Sequence, residues 1–105
     1  MYARNQASNN DSAAFAKMLD NCGNFDKDVR HTGALDLCNE ICKSAEQLEE
    51  NLEKRICAAF IQHLEDESME VKSNAVKCIQ RISPKIRETH LTMIVTKLIS
   101  EIVNG

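Results

Sequence analysis

The sequence predicts an all-α solenoid, a stack of two-helix repeats, and three observations lead there. The chain matches itself at an offset of 42 residues, the step that carries Val29-Arg30 onto Val71-Lys72, Gly33 onto Ala75 and Leu37 onto Ile79. The same step carries Phe15, Met18, Leu19 and Cys22 onto Cys57, Phe60, Ile61 and Leu64. A second shift lays Leu52, Ile56, Cys57, Phe60 and Ile61 onto Ile94, Leu98, Ile99, Ile102 and Val103. Apolar residues also recur three and four positions apart, the period of a helix that buries one face. A period of this length built from such stripes belongs to stacked hairpins, which usually serve as binding surfaces.

The elements follow in order. Residues 1–11 are polar and rich in Asn and Ser, and read as a disordered lead before a repeat domain at 12–105. The domain divides into repeats at 12–44 and 49–83 and a half repeat at 89–104, five helices in two and a half repeats. The first helix is expected from Ser12 to Cys22, with Ser12 or Asp11 as its cap and Gly23 as its stop. The second begins near Asp26, buries Val29, Ala34, Leu37, Cys38 and Ile41, and ends near Ser44. The third runs from about Glu49 to Leu64, with Glu49, Glu50 and Glu53 in the first turn, where the helix dipole favours acids. Ser68 caps a fourth helix that turns Val71, Ala75, Val76, Ile79 and Ile82 inward until Pro84 stops it. The fifth, from about Thr89 to Val103, carries Ile94, Leu98, Ile99, Ile102 and Val103, too apolar a set for a polar terminal cap. That face implies a fragment of a longer array, with pairing between two copies through the end helix 89–104 as a further expectation.

Composition narrows the function classes. Hydrophobic residues at 43% suffice for a core, whereas aromatics at 4% with no Trp leave little for base stacking or a large ligand pocket. A formal net charge of −3 argues against nucleic acid or an anionic membrane as the partner. No run reaches the roughly 18 apolar residues of a membrane span, and the start of the chain lacks the apolar heart of a signal peptide. A cytoplasmic or nuclear location is expected. Of the five cysteines, Cys22, Cys38, Cys57 and Cys78 fall on apolar helical faces, which suits reduced core thiols.

The turn motifs carry a resemblance. Asn24 and Asp66 each stand in the turn within a repeat, ahead of Val29-Arg30 and Val71-Lys72, and this pattern resembles a HEAT repeat. The resemblance implies a ladder of turn residue and basic residue between neighbouring repeats, carried here by Asp66 and Lys72 and by Asn24 and Arg30. Asn24 departs from the pattern, because an amide cannot offer a charged acceptor. Within the HEAT class, Phe25-Asp26-Lys27-Asp28-Val29-Arg30, Leu64-Glu65-Asp66, Glu70-Val71 and Asn74-Ala75-Val76-Lys77-Cys78 resemble the N-terminal repeats of the CAND family, cullin-associated neddylation-dissociated or TIP120-like proteins. That resemblance covers residues 14–104. It implies a piece of a long superhelix that wraps an unneddylated cullin, contacts the cullin C-terminal region and its RING subunit, and in full-length form promotes adaptor exchange on ubiquitin ligases.

Local chemistry offers one electrostatic signal. Lys72, Lys77, Arg81, Lys85 and Arg87 follow one another with no acid between them, either a basic strip for an acidic protein surface or an ordinary solvated face. The acidic segments Glu46 to Glu53 and Glu65 to Glu70 read as solvated turns. Cys38 and Cys42 stand one helical turn apart, but no second ligand pair accompanies them, so no metal site or cofactor is expected. His31, His63 and His90 are isolated in sequence, and no nucleophile motif or phosphate-binding glycine loop occurs, so no enzymatic activity is expected. The expected function is protein binding, with Lys27, Arg30, His31, Lys72, Ser73, Lys77 and Arg81 as contact residues on the second helices. Two other readings of the same residues are a nucleic-acid or nuclear-transport HEAT module, supported by the basic strip alone, and a spacer segment of another HEAT scaffold.

Overall fold

A computed structural model describes residues 12–104 and places five α-helices in order: α1 (Ser12–Cys22), α2 (Lys27–Lys43), α3 (Glu50–His63), α4 (Met69–Ile82) and α5 (Glu88–Asn104). The lead expected over residues 1–11 lies outside the described residues, as does the capping expected of Asp11 or the Ser12 side chain. Each helix boundary has a local cause. The Asp26 carboxylate accepts the Asp28 amide at the start of α2, and the Ser68 hydroxyl accepts the Val71 amide at the start of α4. Glu49, expected inside the first turn of α3, stands one position before it and accepts the amides of Asn51 and Leu52. Those two bonds hold its carboxyl below the usual carboxylate range. After Ile82 the chain tightens into a 3-10 turn over Ser83–Lys85 that contains Pro84.

The helices form two layers of an all-α, HEAT-like repeat. α1, α3 and α5 pack in sequence on one side, while α2 packs on α4 on the other, and α1 pairs with α2 as α3 pairs with α4. The sequence offset reappears as lateral contact. Asn74 Nδ2 donates to His31 O at 3.5 Å, Arg81 Nη2 to Asn39 Oδ1 at 3.1 Å, and Cys38 Sγ to Cys78 O at 3.8 Å. Leu37, Ile56, Phe60, Ile82 and Ile94 are fully covered in one continuous core. Burial of each such side chain stabilises the stack by about 1.5–3 kcal/mol. Gly33 lies where the end of α1 comes close to α2, since a Cβ there would come within 2.8 Å of Asn21 Cβ and 2.9 Å of Cys22 N.

Three expectations about burial change. Val76, expected inside, is 37% exposed, whereas its counterpart Ala34 is fully covered. The difference is one of neighbours, because Ala34 lies on the α2 face that meets α4, and among the described residues no helix takes that place beside α4. Met18, Leu19, Val29 and Ile61, all expected inward, are only partly buried. Glu53, expected to serve the α3 dipole from solvent, is buried at 1% exposure. His63 and His90, isolated in sequence, are buried and bonded across repeats.

Candidate protein-binding surface

The turns within the two repeats, residues 23–26 and 64–68, lie side by side and are bolted together by Arg30. Its Nε donates to Asp66 Oδ2 at 2.8 Å and its Nη2 to Asp66 Oδ1 at 2.9 Å, a two-point guanidinium–carboxylate bond between neighbouring repeats. The remaining nitrogen, Nη1, donates to the carbonyls of Asn24 at 3.0 Å and Phe25 at 2.9 Å. Asp66 Oδ1 also accepts the Ser68 amide at 2.8 Å. Burial pushes the Asp66 carboxyl up, but the Arg30 bond, the Ser68 amide and the charges of Arg30 and His63 together hold it below the ordinary range. Arg30 thus pairs across the repeat boundary with Asp66, and Lys72 takes no part in that bond. Asn24 contributes its carbonyl to Arg30, while its side-chain oxygen accepts the Asp26 amide at 2.8 Å.

A second clasp joins α3 to α5. The Glu53 carboxylate accepts the Arg87 amide at 2.8 Å, Arg87 Nη1 at 3.0 Å and His90 Nδ1 at 2.6 Å. Three donors on a carboxylate removed from water satisfy a charge that would otherwise be costly to bury. Nearby, His63 Nε2 lies 2.8 Å from Cys22 O. A carbonyl only accepts, so Nε2 carries the proton.

These clasps break up the basic strip. Arg87 is committed to Glu53 and to Leu48 O, and Lys85 donates to the carbonyls of Ile41, Cys42 and Ser44 at the end of α2. A cation there complements the negative pole of the helix. Arg81 reaches Asn39, which leaves Lys72 and Lys77 as the strip's cations without such a bond. The continuous strip of five cations read from sequence is therefore corrected to three, because tertiary carbonyls and one buried carboxylate occupy Lys85 and Arg87 while Arg81 stays exposed. The segments expected as solvated acidic turns are corrected in the same way at Glu53 and Asp66.

The seven expected contact residues do not gather in one place. His31, Ser73 and Lys77 line a depression of about 300 Å³ with Met69, Glu70 and Asn74. Lys27 and Arg30 border another, of about 520 Å³, with Phe25, Glu67, Ser68 and Met69, and Lys27 reaches Glu70 at 3.3 Å. Lys72 edges an apolar groove with Leu64, Val76, Leu98 and Ile102. Arg81 lies apart, beside Asp36, Asn39 and Glu40. Sequence reasoning missed Phe25 and Met69, which are 95% and 70% exposed. Their signal was a mismatch in the repeat, since the offset sets Phe25 against Glu67 and Met69 against Lys27.

On α5, Val95, Ile99, Ile102 and Val103 are exposed, at 43%, 56%, 79% and 75%. Among the described residues no group of three His, Cys, Asp or Glu side chains is placed to hold a metal ion, and no helix is long and apolar enough to cross a membrane.

Comparison with known proteins finds clear similarity. The chain is 34% identical over 83 residues to cullin-associated NEDD8-dissociated protein 2 of Mus musculus, covering 79% of the chain and 7% of that protein. It is 31% identical over 80 residues to cullin-associated NEDD8-dissociated protein 1 of Arabidopsis thaliana, covering 76% of the chain and 7% of the relative. The corresponding Drosophila melanogaster protein is 30% identical over 90 residues, which cover 86% of the chain and 7% of the relative. The chain thus spans only a small part of the length of these relatives. No protein-family model matches it, and no solved structure matches it with significance.

Proposed function

The chain is a CAND-like HEAT-repeat segment, and from that premise we propose that it binds a cullin assembly as one part of a longer wrapping surface. The observation that carries this reading is the similarity to relatives whose names record association with cullins and dissociation from NEDD8. The finer reading places the contact on the cullin C-terminal region and its RING subunit, in the unneddylated state, with adaptor exchange reserved to the full-length protein. Work in the cytoplasm or nucleus belongs to the same reading.

The outer faces of α2 and α4 supply the contact. Lys72 and Lys77 remain available to acidic groups of the partner, and His31 and Ser73 flank Lys77 with polar side chains. Arg30 holds the two turns in place from behind, since its fork is filled by Asp66. Any single exposed charge contributes about 1 kcal/mol or less, so affinity must come from many contacts along the superhelix. Studied alone, the segment is expected to self-associate through the uncovered α5 face. Light scattering that shows a stable monomer at high concentration would count against that pairing.

Titration of the purified chain against an unneddylated cullin-RING core tests the main reading, with the neddylated core and duplex DNA in parallel. Preference for the unmodified core, weakened by Lys72→Glu and Lys77→Glu, supports it. Binding to DNA alone, with a steep salt dependence, would replace it with a nucleic-acid module.

A further inference from the structure

We propose that the turn edge carrying Phe25 and Met69 is a docking site for a cationic protein segment that presents an apolar side chain. The inference goes beyond the cullin reading and does not rest on it. Phe is one of only a few aromatic residues in this chain, with three Phe, one Tyr and no Trp in 105 residues. Phe15 and Phe60 are buried at 3% and 0% exposure, whereas Phe25 projects from the surface at 95%. Met69, the residue that follows the neighbouring turn, projects at 70% and borders the same depression of about 520 Å³. A lone exposed apolar residue is ordinary, but an aromatic ring and a thioether sharing one concavity mark a contact surface.

The backbone beneath them is fixed. Asn24 Oδ1 accepts the Asp26 amide and so brackets Phe25, while Arg30 Nη1 holds the carbonyls of Asn24 and Phe25. The other edge of the same guanidinium grips Asp66, whose Oδ1 secures the Ser68 amide next to Met69. One side chain therefore sets the relative position of both apolar groups. An anchor pair held in register before binding loses little freedom on association, and that favours affinity.

Charge selects the occupant. Asp26 and Asp28 lie beside Phe25, and Glu67 and Glu70 lie beside Met69, while Glu65 is taken up by Lys97. The cations of the lining, Lys27 and Arg30, are matched by Glu70 and Asp66, which leaves Asp26, Asp28 and Glu67 as the acids not offset by an ion pair. The surround of the two apolar anchors is thus acidic, which attracts lysine and arginine and repels an acidic partner, a membrane surface or nucleic acid.

Fluorescence anisotropy with labelled peptides tests the site on the whole chain. One peptide carries a central leucine between pairs of lysines, a second replaces the lysines with glutamate, and a third replaces the leucine with serine. The lysine–leucine peptide should bind saturably and perturb the backbone amide resonances of Phe25, Asp26, Glu67 and Met69. Phe25→Ala and Met69→Ala should each weaken it by about tenfold, with unchanged thermal melting because both side chains are exposed. The glutamate and serine peptides should fail. Absence of saturable binding, or equal binding by the Phe25→Ala/Met69→Ala double variant, overturns the proposal. Self-association in sedimentation that Phe25→Ala abolishes also overturns it, by placing a second copy of the chain at this edge. Since no cullin enters these assays, their outcome is separate from that of the cullin titration.

Discussion

Arg30 and Asp66 stand 36 residues apart and meet in a two-point bond of 2.8 and 2.9 Å, with their side chains 14% and 10% exposed. The bond runs from the first turn of α2 to the turn between α3 and α4, so it fixes the register of one repeat against the next. It also explains the geometry around it. Arg30 holds the first turn through two carbonyls, and Asp66 holds the second through the Ser68 amide.

Loss of this clasp should cost stability in proportion to its partial burial. An exposed pair contributes about 0–1 kcal/mol and breaking a buried one costs about 3–5 kcal/mol, so Asp66→Asn is expected to cost about 2 kcal/mol. The folded carboxyl titrates below its ordinary value. Its stabilisation is therefore complete above the unfolded value of about 4, and is lost as pH falls through the lower folded value. Arg30 is shifted upward from an already high value, so its own titration lies above any working pH. Urea melts at neutral and acid pH check both points. An Asp66→Asn variant as stable as the parent, or one with an equally steep acid loss, would refute them.

Glu53 governs the attachment of α5. Replacement by Gln keeps the size but puts an amide donor beside the Arg87 and His90 donors, so at least one bond is lost and the others lose their charge. Glu53→Gln should destabilise the fold by about 2–3 kcal/mol, and Glu53→Ala by about 3–5 kcal/mol. Hydrogen exchange should quicken first in α5 and in the chain around Arg87. Uniform quickening across α1 and α2 would show that the clasp does not act locally.

The helix positions were legible because their causes are local. Asp26 and Ser68 announce caps within a few residues, Pro84 announces a stop, and the periodic apolar stripes name Leu37, Ile56 and Phe60 as core. The exposed run Ile99, Ile102 and Val103 was legible for the same reason, through its match to Cys57, Phe60 and Ile61. The role of Glu53 was not. An acid in the first turn of a helix has the same local pattern whether it faces water or a neighbouring helix, and its partners lie 34 and 37 residues further on. Lys85 and Arg87 failed as surface cations for that reason too, since carbonyls of α2 and the Glu53 carboxylate claim them only after stacking. The exposure of Phe25 and Met69 was not legible either, because no apolar stripe includes them.

Thiol reactivity should follow burial. Burial pushes the Cys22 thiol up to about 12, with the charge of Asp36 adding to it, and burial with the charge of Glu53 does the same for Cys57, also to about 12. The thiolate is the reacting form, so these groups should resist a disulfide reagent until the chain unfolds. Cys42, partly exposed at the end of α2, should react first although burial raises it as well. In a timed reaction with such a reagent, Cys42→Ser should remove the leading phase. Several thiols reacting together in the native protein would show that the core opens more readily than its packing implies.

Gly33 offers a test in which two effects oppose. Alanine is the better helix former by up to about 1 kcal/mol, so Gly33→Ala in an uncrowded helix would stabilise. Here the new Cβ would meet Asn21 Cβ at 2.8 Å and Cys22 N at 2.9 Å, both parts of a helix end that cannot swing aside as a flexible side chain would. Overpacking of this kind costs about 1–3 kcal/mol, and it should win. The second repeat carries Ala75 at the equivalent position, fully buried, so the spacing there already admits a methyl group. Gly33→Ala should therefore lower the melting midpoint and loosen α1 against α2, with Ala75→Gly costing stability through helix propensity and lost packing. A Gly33→Ala variant that melts at or above the parent temperature would show that the first repeat can widen to the spacing of the second without penalty.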